Sequence, residues 1–291
     1  MKYRVLSNPL AGNFSECDLD SKLKFPFEKY DITKISDFDS FLKEISSEDK
    51  LIICGGDGTL NRFINSADIE SIENEIYYLA TGSGNDFLHD LGYKNCEEPI
   101  KINEYIRNLP RLYIKDKEYK FLNGIGFGID GYVCKEVNRL KTEKGSNKKS
   151  GYILSALKGL LFAFKSVNAT LTVDGKEYNY KKVWMVPAMK GRYFGGGMII
   201  APDQKRTNEN NTLSVIAVHD LSPLKIAVLF PSIFKGTHIK FTKYITVFNA
   251  NTVSVSFDRP CDMQIDGETV TDITEYTVKT ESKVKEKTER F

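Results

Sequence analysis

Leu51-Ile52-Ile53-Cys54-Gly55-Gly56-Asp57-Gly58-Thr59-Leu60-Asn61 joins a short, wholly apolar run to a glycine turn, and then to a segment with Leu60, Phe63 and Ile64 at helical spacing. A continuous apolar run of this length, closed by glycines, predicts a strand buried on both faces. The same order recurs on either side. Tyr3–Leu6 reads as a strand running into Asn8-Pro9, and Ser36–Ile45 places Phe38, Phe41, Leu42 and Ile45 on one helical stripe. Ile76–Ala80 is a second apolar strand, closed by Thr81-Gly82-Ser83-Gly84-Asn85-Asp86 before a helix over Asp86–Leu91. Repetition of strand, turn and helix predicts a parallel sheet covered by helices.

Three glycines in four positions at Gly55–Gly58 exceed what a turn needs. Backbone amides there can approach a phosphate, the helix start favours an anion, and Asp57 can hold a metal bound to that phosphate. The competing reading is an ordinary turn with Thr59 as N-cap. In an open α/β sheet the strand ends deliver their loops to one crevice. Asn8–Gly12 and Thr81–Asp86 therefore share a rim with Gly55–Thr59, and a nucleotide site follows. No GxxxxGK[ST] occurs, which excludes a P-loop nucleotidase. Gly126–Gly131 matches GxGxxG, but it lies beyond the α/β region and no acidic residue occupies Ser146–Gly151. It reads as a glycine-rich β turn or a close-packing segment.

From about Leu112 short β-rich stretches take over: Tyr119–Ile125, Ala169–Val173, Tyr178–Val186, Leu213–Val218, Ile245–Val247, Thr252–Phe257 and Met263–Ile265. Asp174-Gly175 marks a two-residue hairpin, and a helix is predicted over Ser150–Lys165. The expectation is an α/β domain over 1–112 and a mostly antiparallel β-sandwich over 113–278, with Lys279–Phe291 returning or frayed.

The 291 residues carry 41 basic and 39 acidic side chains, a balance that argues against a dedicated nucleic-acid binder. No apolar run reaches the ~18 residues of a membrane span, and the start of the chain lacks an apolar signal core. Five scattered cysteines without a CxxC pair fit reduced thiols, so a cytoplasmic protein is expected. Three histidines without clustered spacing argue against zinc, and the absence of GxSxG against a serine hydrolase. Lys135–Lys165 holds eight basic and two acidic residues. It reads either as a site for anionic lipid or as a solvated loop with a core helix. Asp266-Gly267 between β-type runs reads first as a hairpin turn.

Taken in order, NPLAG at Asn8–Gly12, GGDGTLN at Gly55–Asn61, TGSGNDF at Thr81–Phe87, FLNGIGFGID at Phe121–Asp130, GGGMIIAP at Gly195–Pro202 and QIDGE at Gln264–Glu268 resemble the soluble diacylglycerol kinase catalytic-domain family. That family includes bacterial lipid kinases and sphingosine kinases. NAD kinases share the GGDGT element, but the first and fifth segments resemble the lipid group more. The resemblance implies an ATP-binding α/β domain and a β-sandwich for the lipid. It implies ATP at Asn8, Pro9, Gly12, Thr33, Gly55, Gly56, Asp57, Gly58, Thr59, Asn61, Ser83 and Asn85. It implies Mg2+ at Asp57, helped by Asp86, and a general base in Asp266-Gly267-Glu268, with Glu268 favoured and Asp266 orienting.

Two positions depart from the family pattern. Ser83 stands where threonine is usual and keeps the hydroxyl. Asn210-Asn211 follow Glu209 where the family commonly has an Asp-Gly that helps hold a structural magnesium ion, and asparagine offers a carbonyl oxygen without charge. The expectation is an ATP- and Mg2+-dependent lipid kinase, with diacylglycerol as first substrate, a peripheral site on anionic membranes and a homodimer through the tail or a sheet edge. The alternatives are an NAD kinase and an inactive nucleotide-responsive binding protein of the same fold.

Overall fold

The structure, a computed structural model, describes residues 1–9, 16–82, 84–93, 97–144 and 163–281. Four parallel strands form the first sheet: β1 (Tyr3–Ser7), β2 (Phe27–Asp31), β3 (Lys50–Gly55) and β4 (Ile76–Ala80). A short β5 (Ile100–Lys101) adds antiparallel to β4, giving the order β2-β1-β3-β4-β5. Leu51 and Ile53 pack on one face with Leu60, Phe63 and Ile64 of α3 (Asp57–Ser66). Ile52 and Cys54 pack on the other face with Leu19 and Leu23. This two-sided burial is why β3 carries no polar alternation. Because β1 lies between β2 and β3, the chain reverses direction across the sheet at the β1/β3 boundary. Such a switch point opens a crevice at the carboxyl ends of the strands.

The second sheet is antiparallel, in the order β15-β14-β11-β8-β16-β17-β6-β7. Its members are β6 (Arg111–Ile114), β7 (Lys117–Lys120), β8 (Gly124–Phe127), β9 (Val167–Val173), β10 (Lys176–Val183), β11 (Ala188–Met189), β14 (Leu213–Val218), β15 (Ile245–Ala250), β16 (Thr252–Ile265) and β17 (Glu268–Lys279). A separate hairpin pairs β12 (Tyr193–Phe194) with β13 (Met198–Ile199). β16 organises the domain: its first half pairs with β9, its second half with β8, and both halves with β17. The register shifts between Ser256 and Met263, where Pro260 supplies no ladder donor. That shift lets one strand serve both packed layers around Phe121, Phe127, Trp184 and Tyr276. The α/β-plus-sandwich architecture is the one expected from sequence.

Several details differ from the sequence reading. Thr252–Phe257 and Met263–Ile265 belong to one bent strand. Tyr119–Ile125 is interrupted, with β7 ending at Lys120 and β8 beginning at Gly124. Asp174 and Gly175 have φ of 45° and 84° and close the β9–β10 hairpin as read. The predicted helix over 150–165 lies almost wholly outside the described residues. A helix not predicted, α6 (Ile129–Lys144), takes up the first part of the basic stretch. Its opening glycines serve packing, the second of the two readings of Gly126–Gly131. A Cβ on Gly126 would overlap the Asp130 carboxylate, and one on Gly131 would lie 2.1 Å from the Asp262 carbonyl oxygen. Lys135 pairs with Asp262 and Arg139 with Glu136, so these two charges have protein partners. No helix among the described residues is long and apolar enough to cross a membrane.

Candidate active site

Across the sheet edge stand Thr33 after β2, Asn8 after β1, Gly56 after β3 and Gly82 after β4, one rim built by parallel strands. The loops touch. The Thr81 N–H donates to the Gly55 carbonyl (2.9 Å), and a Cβ on Gly82 would lie 2.6 Å from Gly56 Cα. Each glycine of the β3 turn has its own reason. A Cβ on Gly55 would strike the Thr59 side chain at 2.4–2.7 Å. Gly56 is the extended N-cap of α3. Gly58 faces the second domain, 3.5 Å from Glu268 Oε1 at its would-be Cβ. Thr59 is buried and its hydroxyl accepts from Asn8 Nδ2 (3.3 Å), so it ties the β1 turn to α3 rather than capping the helix.

Asp57 is half-buried as a residue, but its carboxylate is enclosed. Oδ2 accepts from the Asp86 N–H (2.7 Å) and from Asn123 Nδ2 (3.4 Å), whereas Oδ1 is buried with no hydrogen-bond partner. Burial, and next the charges of Asp86 and Asp266, push its pKa up to about 7. Two further buried oxygens without partners lie on the same rim, Ser7 Oγ and Asn85 Oδ1, and Asn85 sits in the left-handed region at φ 49°. Buried polar atoms left unpaired are costly, and three on one rim offer a ligand places to bond. An uncompensated carboxylate with an unpartnered oxygen fits a hard cation, and Mg2+ is commonly held by one or two carboxylates plus substrate phosphates. Among the described residues no group of three His, Cys, Asp or Glu side chains forms a metal cage.

The other carboxylates have different work. Asp86 accepts from the N–H groups of Gly196 and Gly197, both at 2.8 Å, and so clasps the β12–β13 turn of the second domain. Burial raises its pKa, opposed by those two amides. Asp266 and Gly267 have φ of 45° and 93° and form the β16–β17 turn, so the hairpin reading holds as geometry. Asp266, half-buried as a residue, is also an acceptor. It receives the N–H groups of Leu122 (2.6 Å), Asn123 (2.8 Å) and Gly124 (3.1 Å), and Asn61 Nδ2 (2.8 Å). Burial raises its pKa and these four donors pull against the rise. Its capacity is spent on fixing residues 122–124, which explains the break between β7 and β8. Asp266→Asn would turn an NH2 toward those amides, a cost of about 1–3 kcal/mol. A fall in melting temperature on the order of 5 °C is expected, and an unchanged thermal denaturation curve would refute the clamp.

The structure thus brings Asn8, Gly55, Gly56, Asp57, Gly58, Thr59, Asn85, Asp86 and Glu268 to one cleft. It does not leave Asn61 for a nucleotide, because its amide is bonded to Asp266 and to the Lys120 carbonyl. Thr33 stands on the rim with its hydroxyl donating to Asp31. Gly12 and Ser83 lie outside the described residues, and Pro9 follows Asn8 on the rim.

Sequence reasoning assigned nothing to Asn123, Asp90, Arg192 or Arg206. Asn123 joins Asp57 to Arg206, whose Nη2 donates to Asn123 Oδ1 (2.7 Å) and whose Nε donates to Asp90 (2.8 Å). Arg192 adds two bonds to Asp90 Oδ1, from N (3.0 Å) and Nε (2.9 Å). A buried arginine 4.7 Å from the Phe87 ring and paired with a buried aspartate locks α4 (Asp86–Asp90) onto the sandwich. Asn211 is buried at φ 53°, and its Oδ1 accepts from the Lys190 ammonium. Its Nδ2 donates to the Glu281 carbonyl (2.8 Å). Asn210, which stands in place of the family's aspartate, is exposed, and its backbone carbonyl accepts from Asn251 Nδ2 (2.9 Å).

A cavity of about 300 Å³ lies inside the second domain, and its wall is apolar. Ile129 and Val133 of α6, Met185 and Phe194 line one side, and Ile226 and Phe230 the other. Asp130 and Gln264 join the wall, with both Asp130 oxygens and Gln264 Nε2 buried and unpartnered. Burial pushes the Asp130 carboxyl up to about 7. Gly267, the residue before Glu268, also lines the cavity.

Fold and site together define a two-domain protein in which a glycine-rich rim faces a sandwich with an apolar pocket. Residues 2–111 match the diacylglycerol kinase catalytic domain, and residues 123–282 match the YegS C-terminal NAD kinase beta sandwich-like domain. The chain belongs to the diacylglycerol kinase catalytic-domain family. It is 24% identical over 238 residues to the "Putative lipid kinase YtlR" of Bacillus subtilis, covering 75% of this chain and 74% of that protein. It is 24% identical over 214 residues to a diacylglycerol kinase of Mycobacterium tuberculosis, covering 71% and 66%. A crystal structure described as a diacylglycerol kinase from Bacillus anthracis shares the fold, with a TM-score of 0.61 at 18% identity over 96% of this chain and 93% of that one.

Proposed function

We propose that the protein is an ATP-dependent lipid kinase that moves the γ-phosphoryl group of ATP onto a lipid hydroxyl. The observation that carries this reading is the continuity of two unlike sites. Gly267 lines the apolar cavity, and the next residue, Glu268, reaches the first turn of α3 beside Asp57. A lipid lying with its chain in that cavity presents its head where the glycine turn receives phosphates.

The rim amides and the α3 start bind and orient the phosphates, because unpaired N–H groups there attract anions. Asp57 would hold Mg2+ with the phosphates, which neutralises charge during phosphoryl transfer. Glu268, exposed across the cleft, accepts the proton of the attacking hydroxyl. Asp266 holds residues 122–124, and Asn123 in turn holds Asp57, so the two carboxylates of the Asp-Gly-Glu turn divide positioning from chemistry. Asp130 and Gln264 give the cavity a polar wall suited to a hydroxyl or ester group beside an apolar chain.

Incubation with labelled ATP, Mg2+ and either a diacylglycerol-containing lipid extract or NAD tests this reading. Label is expected in the lipid phase. Transfer to NAD alone would establish the other kinase reading, and no transfer with retained nucleotide binding would establish the inactive binding protein.

A further inference from the structure

Helix α7 (Pro223–Leu229) and the single helical turns at Phe230–Lys235 and His238–Lys240 form a cap over the apolar cavity. The cap is apolar on both sides. Its inner side gives Ile226, Leu229, Phe230 and Ile233 to the cavity wall. Its outer side carries Leu224 and Val228, 72% and 79% exposed, with Phe234 and Phe241 at 45% and 43%. Leu224 and Val228 are four apart on a helix and so share a face. The inner side accounts for the core; among the described residues nothing in the packing requires the outer one.

The charges are equally one-sided. From Leu221 to Phe257 there are four lysines, Lys225, Lys235, Lys240 and Lys243, and no acidic residue. All four lysines are exposed. Lys225 donates to the Tyr244 hydroxyl (2.8 Å), and Lys243 lies 5.7 Å from the same ring, which gathers cations beside an aromatic group. The nearest preceding acid, Asp220, is bonded to His219. Exposed aliphatic and aromatic side chains ringed by lysines are the composition of a segment that lies in a membrane interface.

We propose that this cap docks the protein onto an anionic lipid bilayer, with Leu224, Val228, Phe234 and Phe241 entering the headgroup region and the four lysines meeting lipid phosphates. The proposed docking surface is the lid of the cavity; the 135–165 segment singled out from sequence lies largely outside the described residues. Docking itself does not rest on the kinase reading. Only its use, passing a lipid chain beneath the cap without leaving the membrane, does.

Flotation of the full chain with vesicles reads binding without turnover, so it separates this proposal from the kinase assay. Binding is expected to phosphatidylcholine vesicles containing phosphatidylglycerol, to weaken as salt rises, and to be much weaker to phosphatidylcholine alone. Leu224→Ser with Val228→Ser is expected to cut binding at least ~10-fold. Lys235→Gln with Lys240→Gln should cut it roughly 25-fold, about fivefold per lysine. All four positions are exposed, so unchanged melting curves are expected. The proposal fails if the wild-type chain ignores anionic vesicles, binds neutral ones equally, or binds undiminished in both double variants. It also fails if sedimentation shows a wild-type dimer that Leu224→Ser with Val228→Ser dissociates, since a second copy of the chain would then cover the face.

Discussion

Asp57→Asn is expected to lower phosphate transfer from ATP by at least ~10³-fold and, in the ligand-free protein, to raise the melting temperature at pH 8. Both effects have one cause. The carboxylate is enclosed, carries an unpartnered oxygen and lies near two other acids, so its ionised form is disfavoured until a cation arrives. An acid whose folded pKa of about 7 exceeds its unfolded value near 4 binds more protons when folded between those values. Stability therefore falls as pH rises through that window, by a ceiling of about 4 kcal/mol for a shift of this size. Asparagine has no ionised form and escapes the penalty. The melting difference should be largest at pH 8 and shrink toward pH 5, where wild-type Asp57 is protonated. Melting curves at both pH values, with circular dichroism for the fold, check the first half, and a transfer assay checks the second. Near-normal turnover in the folded variant would remove Asp57 from the mechanism, and equal melting at both pH values would remove the charge argument.

The architecture was legible where local physics decides it. Leu51–Cys54 announced a strand covered on both faces because all four residues are apolar, and Asp174-Gly175 announced a hairpin because both residues tolerate positive φ. Where tertiary partners decide, local pattern failed. β7 and β8 read as one strand because nothing near Phe121–Asn123 shows that Asp266, more than 140 positions later, captures those amides. β16 read as two strands because Asp258-Arg259-Pro260 looks like a loop, yet the strand continues through a register shift. Helix α6 was hidden by Gly126, Gly128 and Gly131, whose helix-breaking composition reflects contacts with Asp130, Trp184 and Asp262.

The site divides along the same line. The glycine turns were legible because phosphate binding needs backbone amides at strand ends, and sequence carries both glycine and strand. The domain clasp was not. Asp90, Asn123, Arg192 and Arg206 are ordinary polar residues in sequence, and only folding shows that Arg206 is buried between Asp90 and Phe87. The one available signal was Asn123 within the recognised FLNGIGFGID segment. Asn61 was assigned to ATP by the family resemblance, as the last residue of GGDGTLN, three residues beyond the glycine turn. At that spacing α3 directs it across the domain boundary to Asp266, and not to the rim.

Glu268→Gln is expected to slow phosphoryl transfer by roughly 10²–10⁴-fold while leaving nucleotide affinity within a few-fold of wild type. The two carboxylates, of which the sequence favoured Glu268 as base, sit in different surroundings. Asp266 is held by three backbone amides and Asn61, and its removal should act mainly through stability. Glu268 starts β17 on the exposed side of the turn, with Oε1 close to Gly58 at the α3 start. Glutamine preserves its size and an oxygen but cannot accept a proton from an attacking hydroxyl, so the loss should fall on kcat and not on folding. Single-turnover transfer from pre-bound ATP isolates that step, and an equilibrium titration with a fluorescent ATP analogue checks the affinity. The pattern differs from that of Asp57→Asn, which should weaken metal–nucleotide binding as well. Wild-type single-turnover rates in Glu268→Gln would reduce the Asp-Gly-Glu turn to a structural hairpin, and the base would then be sought at Asp57, whose pKa of about 7 already suits proton exchange near neutral pH.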